Sequence, residues 1–206
     1  MKPLADCRLY TFVDTAYLHG RAAELVAQQL CDGGSDLIQL RAKQSTQDEI
    51  RRLAEKILPI ARKANVGLVI NDHPEIARET GADLCHLGQE DFWEGRRQKV
   101  EGRFGLSTHS LEQAQLSLAV KPDYIAVGPV YATGTKPGAK PVTLEYVRWA
   151  AANVTIPWFA IGGINMQTLD AVLSAGAKRV CVVSAILNAP DVAKACAEFR
   201  SIVSGQ

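Results

Sequence analysis

The sequence predicts a single-domain α/β chain folded as a (β/α)8 TIM barrel. Eight short apolar runs of strand length recur along it, and the segments between them switch to a helical period. Spacing is the third observation. Eight units in 206 residues leave about 26 residues for each, near the compact limit of such a barrel. A doubly wound open sheet is the competing arrangement, but eight similar units with no break in strand order favour closure. No linker, low-complexity tract or internal repeat divides residues 1–206, so they are read as one domain.

The predicted strands are, in order, RLYTFVD (8–14), LIQLRAK (37–43), GLVIND (67–72), LCHLG (84–88), RFGLST (103–108), YIAVGPV (124–130), PWFAIGG (157–163) and RVCVVS (179–184). Most are rich in Val, Ile or aromatic residues, which suit a pleated surface. Several are apolar at successive positions, as strands covered on both faces are. The helix after strand two is the clearest: Ile50, Leu53, Ala54 and Ile57 form an apolar stripe behind a Thr46-x-x-Glu49 capping box. Pro59 predicts a kink or break in that helix over 47–64. Ser110 and Gln113 form a second capping pattern before Leu111, Ala114 and Leu118, and Val192, Cys196, Phe199 and Val203 give the last helix its stripe.

Composition narrows the partners. The chain is 47% hydrophobic and 22% charged with a net charge of +1, so no global field favours nucleic acid or an anionic membrane. No apolar run approaches the roughly 20 residues of a bilayer span, and the opening MKPLADCRLYTFVD has no signal-peptide core. The five cysteines form no CxxC pair, which argues against a disulfide framework or zinc site and for a reducing cytoplasm. Small molecules remain as the partner class, with no nucleic acid, no membrane, and room for a homodimer.

In such barrels the chemistry sits at the carboxyl ends of the strands, and here those ends are polar. Gln39, Arg41 and Lys43 alternate along strand two and so face one side. They suit either a salt-bridged interior or an anionic or heteroaromatic ligand, and no carboxylate stands beside them in sequence. Asp72 ends strand three, and Asp91 follows strand four. Each could cap a helix, or the two could share a hard cation such as Mg²⁺, which binds one or two carboxylates and completes its shell with phosphate and water. Gly162-Gly163 and Val183-Ser184 end strands seven and eight, where barrels hold phosphate on backbone N–H groups. The loop GPVYATGTKPGAK (128–140) suits either a solvated turn or an anion wrap. Among the four histidines, His19 is read as beginning a helix, His86 as a satisfied core residue and His73 as peripheral. Only His109 is placed near the chemistry.

The segments QLRAK, IND, LGQED, GLSTHS, GPVYATGTKPGAKP, AIGGI and VVSAI together resemble thiamine phosphate synthases, in the family's order and from about residue 8 to residue 188. The resemblance implies a barrel that joins a hydroxymethylpyrimidine diphosphate to a thiazole phosphate, making thiamine monophosphate and releasing pyrophosphate. Carried onto this chain, it implies that Gln39, Arg41, Lys43, Asn71, Ser107 and Lys136 meet the pyrimidine diphosphate. Thr133, Thr135, Gly163, Val183 and Ser184 would meet the thiazole phosphate, and Asp72 and Asp91 would hold Mg²⁺. Lys136, Ser107 and Arg41 would be the catalytic residues, acting by a dissociative displacement that needs no protein nucleophile. Ala42 departs from the family pattern, which usually has an acidic residue there, so an ion pair is expected to be missing. A sister group, the thiazole tautomerases, shares the barrel and a histidine at the position of His109 but generally lacks the full metal and pyrophosphate set. A non-catalytic phosphate-binding barrel is the third reading.

Overall fold

The computed structural model describes residues 1–96, 100–134 and 141–205. Eight parallel strands close into a barrel in chain order. They are β1 (Leu9–Asp14), β2 (Leu37–Arg41), β3 (Gly67–Asn71), β4 (Leu84–Leu87), β5 (Phe104–Thr108), β6 (Tyr124–Val127), β7 (Trp158–Ile161) and β8 (Val180–Cys181). Around them run α1 (Ala23–Asp32), α2 (Gln47–Lys63), α3 (Pro74–Thr80), α4 (Gln89–Asp91), α5 (Leu111–Ala119), α6 (Thr143–Asn153), α7 (Leu169–Ser174), α8 (Ser184–Leu187) and α9 (Val192–Ser204). No helix among the described residues is long and apolar enough to cross a membrane.

Local chemistry accounts for the helix starts. Thr46 Oγ1 accepts the Glu49 N–H at 3.3 Å while the Glu49 carboxylate accepts the Thr46 N–H at 2.7 Å, completing the capping box. Ser110 accepts the Gln113 N–H, but Gln113 returns its amide oxygen to the N–H of His109, one residue earlier than a full box would require. Ile50, Ala54 and Ile57 are buried, as are Val192, Cys196, Phe199 and Val203.

Four expectations change. Helix α2 runs through Pro59 without a break. Both Pro59 and Glu55, whose carbonyl loses its N–H partner, lie on the exposed face, where water can take the place of the missing donor. Strand eight is only Val180–Cys181, and Ser184 already belongs to α8. His19 starts no helix; it sits at φ 50° in the turn before α1 and meets Asn188. Leu111, assigned to the apolar stripe of α5, is exposed, and Ser117 takes the buried face instead.

The barrel closes where Leu9 and Tyr10 pair with Val180 and Cys181. Beneath that seam lies Asp36, a carboxylate only 3% exposed. It accepts the N–H groups of Arg8 and Leu9 at the start of β1 and pairs with Lys2 and with Arg200 of α9. One buried group therefore ties the N-terminal segment, the first strand and the last helix. Asp36→Ala removes those acceptors and leaves Arg200 and two N–H groups unmatched, and should cost about 3–5 kcal/mol of stability. Urea denaturation of the two proteins at pH 7 checks this; a change under about 1 kcal/mol would show that the seam does not need the carboxylate.

Candidate active site

The carboxyl ends of the strands surround a cavity of about 320 Å³. Gln39 and Arg41, two residues apart on β2, point to the same side, and both line it together with Lys43 just beyond the strand. The strand register then supplies what the sequence around them lacks. Asp14 is the β1 partner of Arg41, and its carboxylate, 1% exposed, accepts from the guanidinium at 2.6 Å. Lys43 Nζ lies 3.3 Å from Asp72 Oδ2, just past the end of β3. The cations of strand two are thus matched by carboxylates from both neighbouring strands, which corrects the impression of a cationic face without acidic partners. Ala42, between the two paired cations, is buried.

Asp72 adopts φ 64°, a left-handed turn directly after β3, and receives a 2.6 Å hydrogen bond from Asn71 Nδ2. Asp91 is the last residue of α4 and lines the same cavity. Neither carboxylate caps a helix: α3 follows His73 and α4 follows Gly88, both without a side-chain cap. Both acids line the cavity. Gln89, at the start of α4, donates to the Ser107 carbonyl at 2.6 Å and to Ser117 Oγ at 3.0 Å, and so ties the end of β5 to α5.

Opposite this acidic and cationic wall lie Gly163, Val183 and Ser184. Gly162 and Gly163 have φ 103° and 65°. A Cβ at either would strike the loop after β6, at 2.4 Å from Pro129 Cα or 2.6 Å from Tyr131 Cβ. The glycines are therefore required by the chain's own loop, which hydrogen bonds through Val130 N–H to Ile161 O and through Tyr131 N–H to Gly162 O. The packing carries Thr133 to the cavity edge. Thr135 and Lys136 lie outside the described residues. Every other site residue named from the sequence, eleven in all, lines this one cavity.

Two histidines line it as well. His109 donates through Nδ1 to the Gly128 carbonyl, which agrees with its placement near the site. His86 was assigned to the core, and it is buried, but it also forms part of the cavity floor. Its Nδ1 meets the Tyr124 hydroxyl and its Nε2 the Ser107 hydroxyl, both at 2.9 Å. Only the pairing of β4 with Asn71 and Gly105 on its two sides brings it there, and pairing is not written in a single strand's sequence.

Burial pushes the His86 pKa down to about 4; Asp72 opposes the shift, whereas Lys43 and His109 add to it. An unfolded histidine titrates near 6.5. Between those values the unfolded chain binds a proton that the native protein refuses, so stability falls as pH drops from about 6.5 to about 4. The His86 contribution to that loss is about 3 kcal/mol, from 1.36 kcal/mol per pKa unit. Chemical denaturation of wild type and His86→Gln between pH 7.5 and pH 4.5 isolates it: the wild-type advantage should shrink steadily with falling pH. A constant difference would show that His86 titrates normally in the fold.

A family model described as thiamine monophosphate synthase matches residues 9–186. A thiamine-phosphate synthase of Thermus thermophilus is 46% identical over 175 residues, covering 84% of this chain and 85% of that one. One from Acidothermus cellulolyticus is 44% identical over 203 residues, covering 96% and 95%. Among solved structures, the thiamine phosphate pyrophosphorylase of Pyrococcus furiosus superposes with a TM-score of 0.89 at 28% identity, over 99% of this chain and 98% of that chain. The strand-end residues that meet at the cavity lie within the matched span, and the chain belongs to the thiamine monophosphate synthase family.

Proposed function

We propose that this protein is a thiamine phosphate synthase that couples a hydroxymethylpyrimidine diphosphate to a thiazole phosphate, releasing pyrophosphate. The observation that carries the reading is convergence: residues from eight separate segments of a synthase-family sequence line one cavity at the carboxyl end of the barrel. In this reading Gln39 and Asn71 orient the pyrimidine, and Arg41, Lys43 and Ser107 meet its diphosphate. Gly163, Val183 and Ser184 receive the thiazole phosphate, and Thr133 and Thr135 are assigned to the same substrate. Lys136, which lies outside the described residues, is assigned the role of the cation that stabilises the departing pyrophosphate.

The donor set suits Mg²⁺. Asp72 and Asp91 line the same cavity, and no group of three metal-ligating side chains occurs among the described residues. A pair of carboxylates without a third ligand is what Mg²⁺ uses when substrate phosphate and water complete its shell. Bound there, the cation would neutralise charge on the leaving group. Before substrate arrives, Lys43 and Asn71 hold the Asp72 carboxylate in place.

The chemistry fits a dissociative displacement, in which the carbon–oxygen bond to pyrophosphate breaks first and the thiazole nitrogen captures the resulting pyrimidinylmethyl cation. Such a step asks for stabilisation of the leaving group and exclusion of water, not for a protein nucleophile. The cavity thiol supports this, because burial raises Cys181 well above its ordinary pKa and leaves it a poor nucleophile. The five unbridged cysteines suit a reducing compartment, the cytoplasm.

The purified protein given both substrates and Mg²⁺ should form thiamine monophosphate and pyrophosphate. Asp91→Asn should abolish most of that turnover and keep the fold, since Asp91 sits at the cavity rim. Undiminished turnover in excess chelator would remove the metal from the scheme. If the wild type instead isomerises the carboxylated thiazole phosphate in a His109-dependent way and makes neither product, it is a tautomerase.

Lys136→Ala should lower kcat by roughly 100-fold, the loss typical of one donor aimed at developing negative charge. A rise in KM for the pyrimidine diphosphate with kcat unchanged would make Lys136 a uniform binding group instead.

A further inference from the structure

A line of polar side chains crosses the otherwise apolar barrel interior. Gln39 Nε2 donates to the Tyr10 hydroxyl at 2.7 Å, and the Tyr10 and Tyr124 hydroxyls lie 3.0 Å apart. Tyr124 meets His86 Nδ1 at 2.9 Å, and His86 Nε2 meets Ser107 Oγ at 2.9 Å. The two ends, Gln39 on β2 and Ser107 on β5, both line the cavity. The tyrosines between them are fully buried, packed edge-on against each other and against Phe159. Neither tyrosine lines the cavity, so neither has an evident part in binding.

We propose that Tyr10 and Tyr124 are positioning residues, which hold His86 as its Nε2-protonated tautomer and oblige the Ser107 hydroxyl to offer its proton to the substrate. Proton counting carries the direction. The Gln39 amide nitrogen can only donate, so Tyr10 must accept from it and pass its own proton to Tyr124. Tyr124 then donates to His86 Nδ1, which must be unprotonated, and Nε2–H donates to Ser107 Oγ. The proton of Ser107 is thereby left for an acceptor in the cavity.

A doubly protonated imidazole breaks this count. It would donate to Tyr124 from one side while Tyr10 donates from the other, leaving the Tyr124 proton without an acceptor in the core. A buried orphan of that kind is costly. The opposite direction requires the Gln39 amide to turn over; every bond would reverse, and Ser107 would be left only to accept. The chain thus works as a specificity device. A fixed donor at Ser107 favours a substrate with an oxygen or ring nitrogen there and rejects one that presents an N–H.

The barrel makes room for this chain at some expense to β5. Gly105 is the register partner of Tyr124, and a Cβ there would lie 2.1 Å from Tyr124 Cζ. The phenyl ring of a phenylalanine fills the same space, so Tyr124→Phe and Tyr10→Phe remove one oxygen each and preserve the packing.

The first test needs no substrate. Nitrogen-15 NMR of histidine-labelled protein, with the His86 signals assigned by their loss in His86→Gln, should show protonation at Nε2 in the wild type and a mixture of tautomers in Tyr124→Phe. Protonation at Nδ1 in the wild type, or a tautomer unmoved by Tyr124→Phe, overturns the proposal. The second test rests on the synthase reading. Tyr124→Phe should lower kcat/KM for the pyrimidine diphosphate roughly tenfold, about the effect of one hydrogen bond, with little change in KM for the thiazole phosphate. In a Ser107→Ala background the same substitution should do nothing further, because its route is already cut. Additive losses would show that Tyr124 acts elsewhere. A wild type without coupling activity would sink the synthase reading, while the tautomer measurement would still decide the chain.

Discussion

The arrangement at the mouth depends on closure of the sheet between β1 and β8. That seam is short, two register pairs, because β8 gives way to α8 almost at once. The strand most exposed to its failure is β1, which also carries Tyr10 into the interior and Asp14 to the rim. The Asp36 carboxylate compensates from below by gathering the start of β1, the N-terminal segment and α9. An open sheet would leave β1 with one neighbour and expose the backbone groups of an edge. Closure removes that edge and brings the end of strand eight, with Val183 and Ser184, around to the end of strand one.

Closure also sets the electrostatics. With all strands parallel and in register, side chains at matching heights on adjacent strands become neighbours, so Asp14 meets Arg41 across β1 and β2. Lys43 and Asp72 meet one level higher, beyond the strand ends. Arg41 and Lys43 are each held beside an anion, which fixes long side chains in position while water can still reach the outer pair. Arg41 with Asp14 is the more buried pair and acts as a rigid element; Lys43 is half exposed and is better able to exchange partners. The rim is therefore graded from a fixed floor to an adaptable mouth.

Below the rim, a continuous hydrogen-bonded line of polar side chains runs through the interior. Tyr10, Tyr124 and His86 are surrounded by apolar strands, and each hydroxyl or ring nitrogen finds its partner in the next residue of the line. Burial raises both tyrosines above their ordinary pKa and lowers His86, so the line stays neutral. A neutral, fully matched network can sit in a low-dielectric interior where an isolated charge could not. Its two ends surface at Gln39 and Ser107, which joins the core of the barrel to the floor of the site.

Much of this was legible in the sequence. Eight apolar runs with helical segments between them determined the barrel, because strand length, apolar pattern and capping chemistry are local properties of consecutive residues. The strand-end residues, from Gln39 through Asn71 and Ser107 to Ser184, were equally legible, since polar groups toward the carboxyl ends of apolar strands stand out from the local pattern. Tertiary structure alone decided which strands meet at what height. It supplied Asp14 and Asp72 as the partners of Arg41 and Lys43, took the paired glycines at 162 and 163 for the chain's own loop, and set His86 between Tyr124 and Ser107. The physical reason is that a strand's own sequence specifies its alternation of faces but not its shear against a neighbour. That offset is set by closure and packing of the whole barrel, and every contact between strands follows from it.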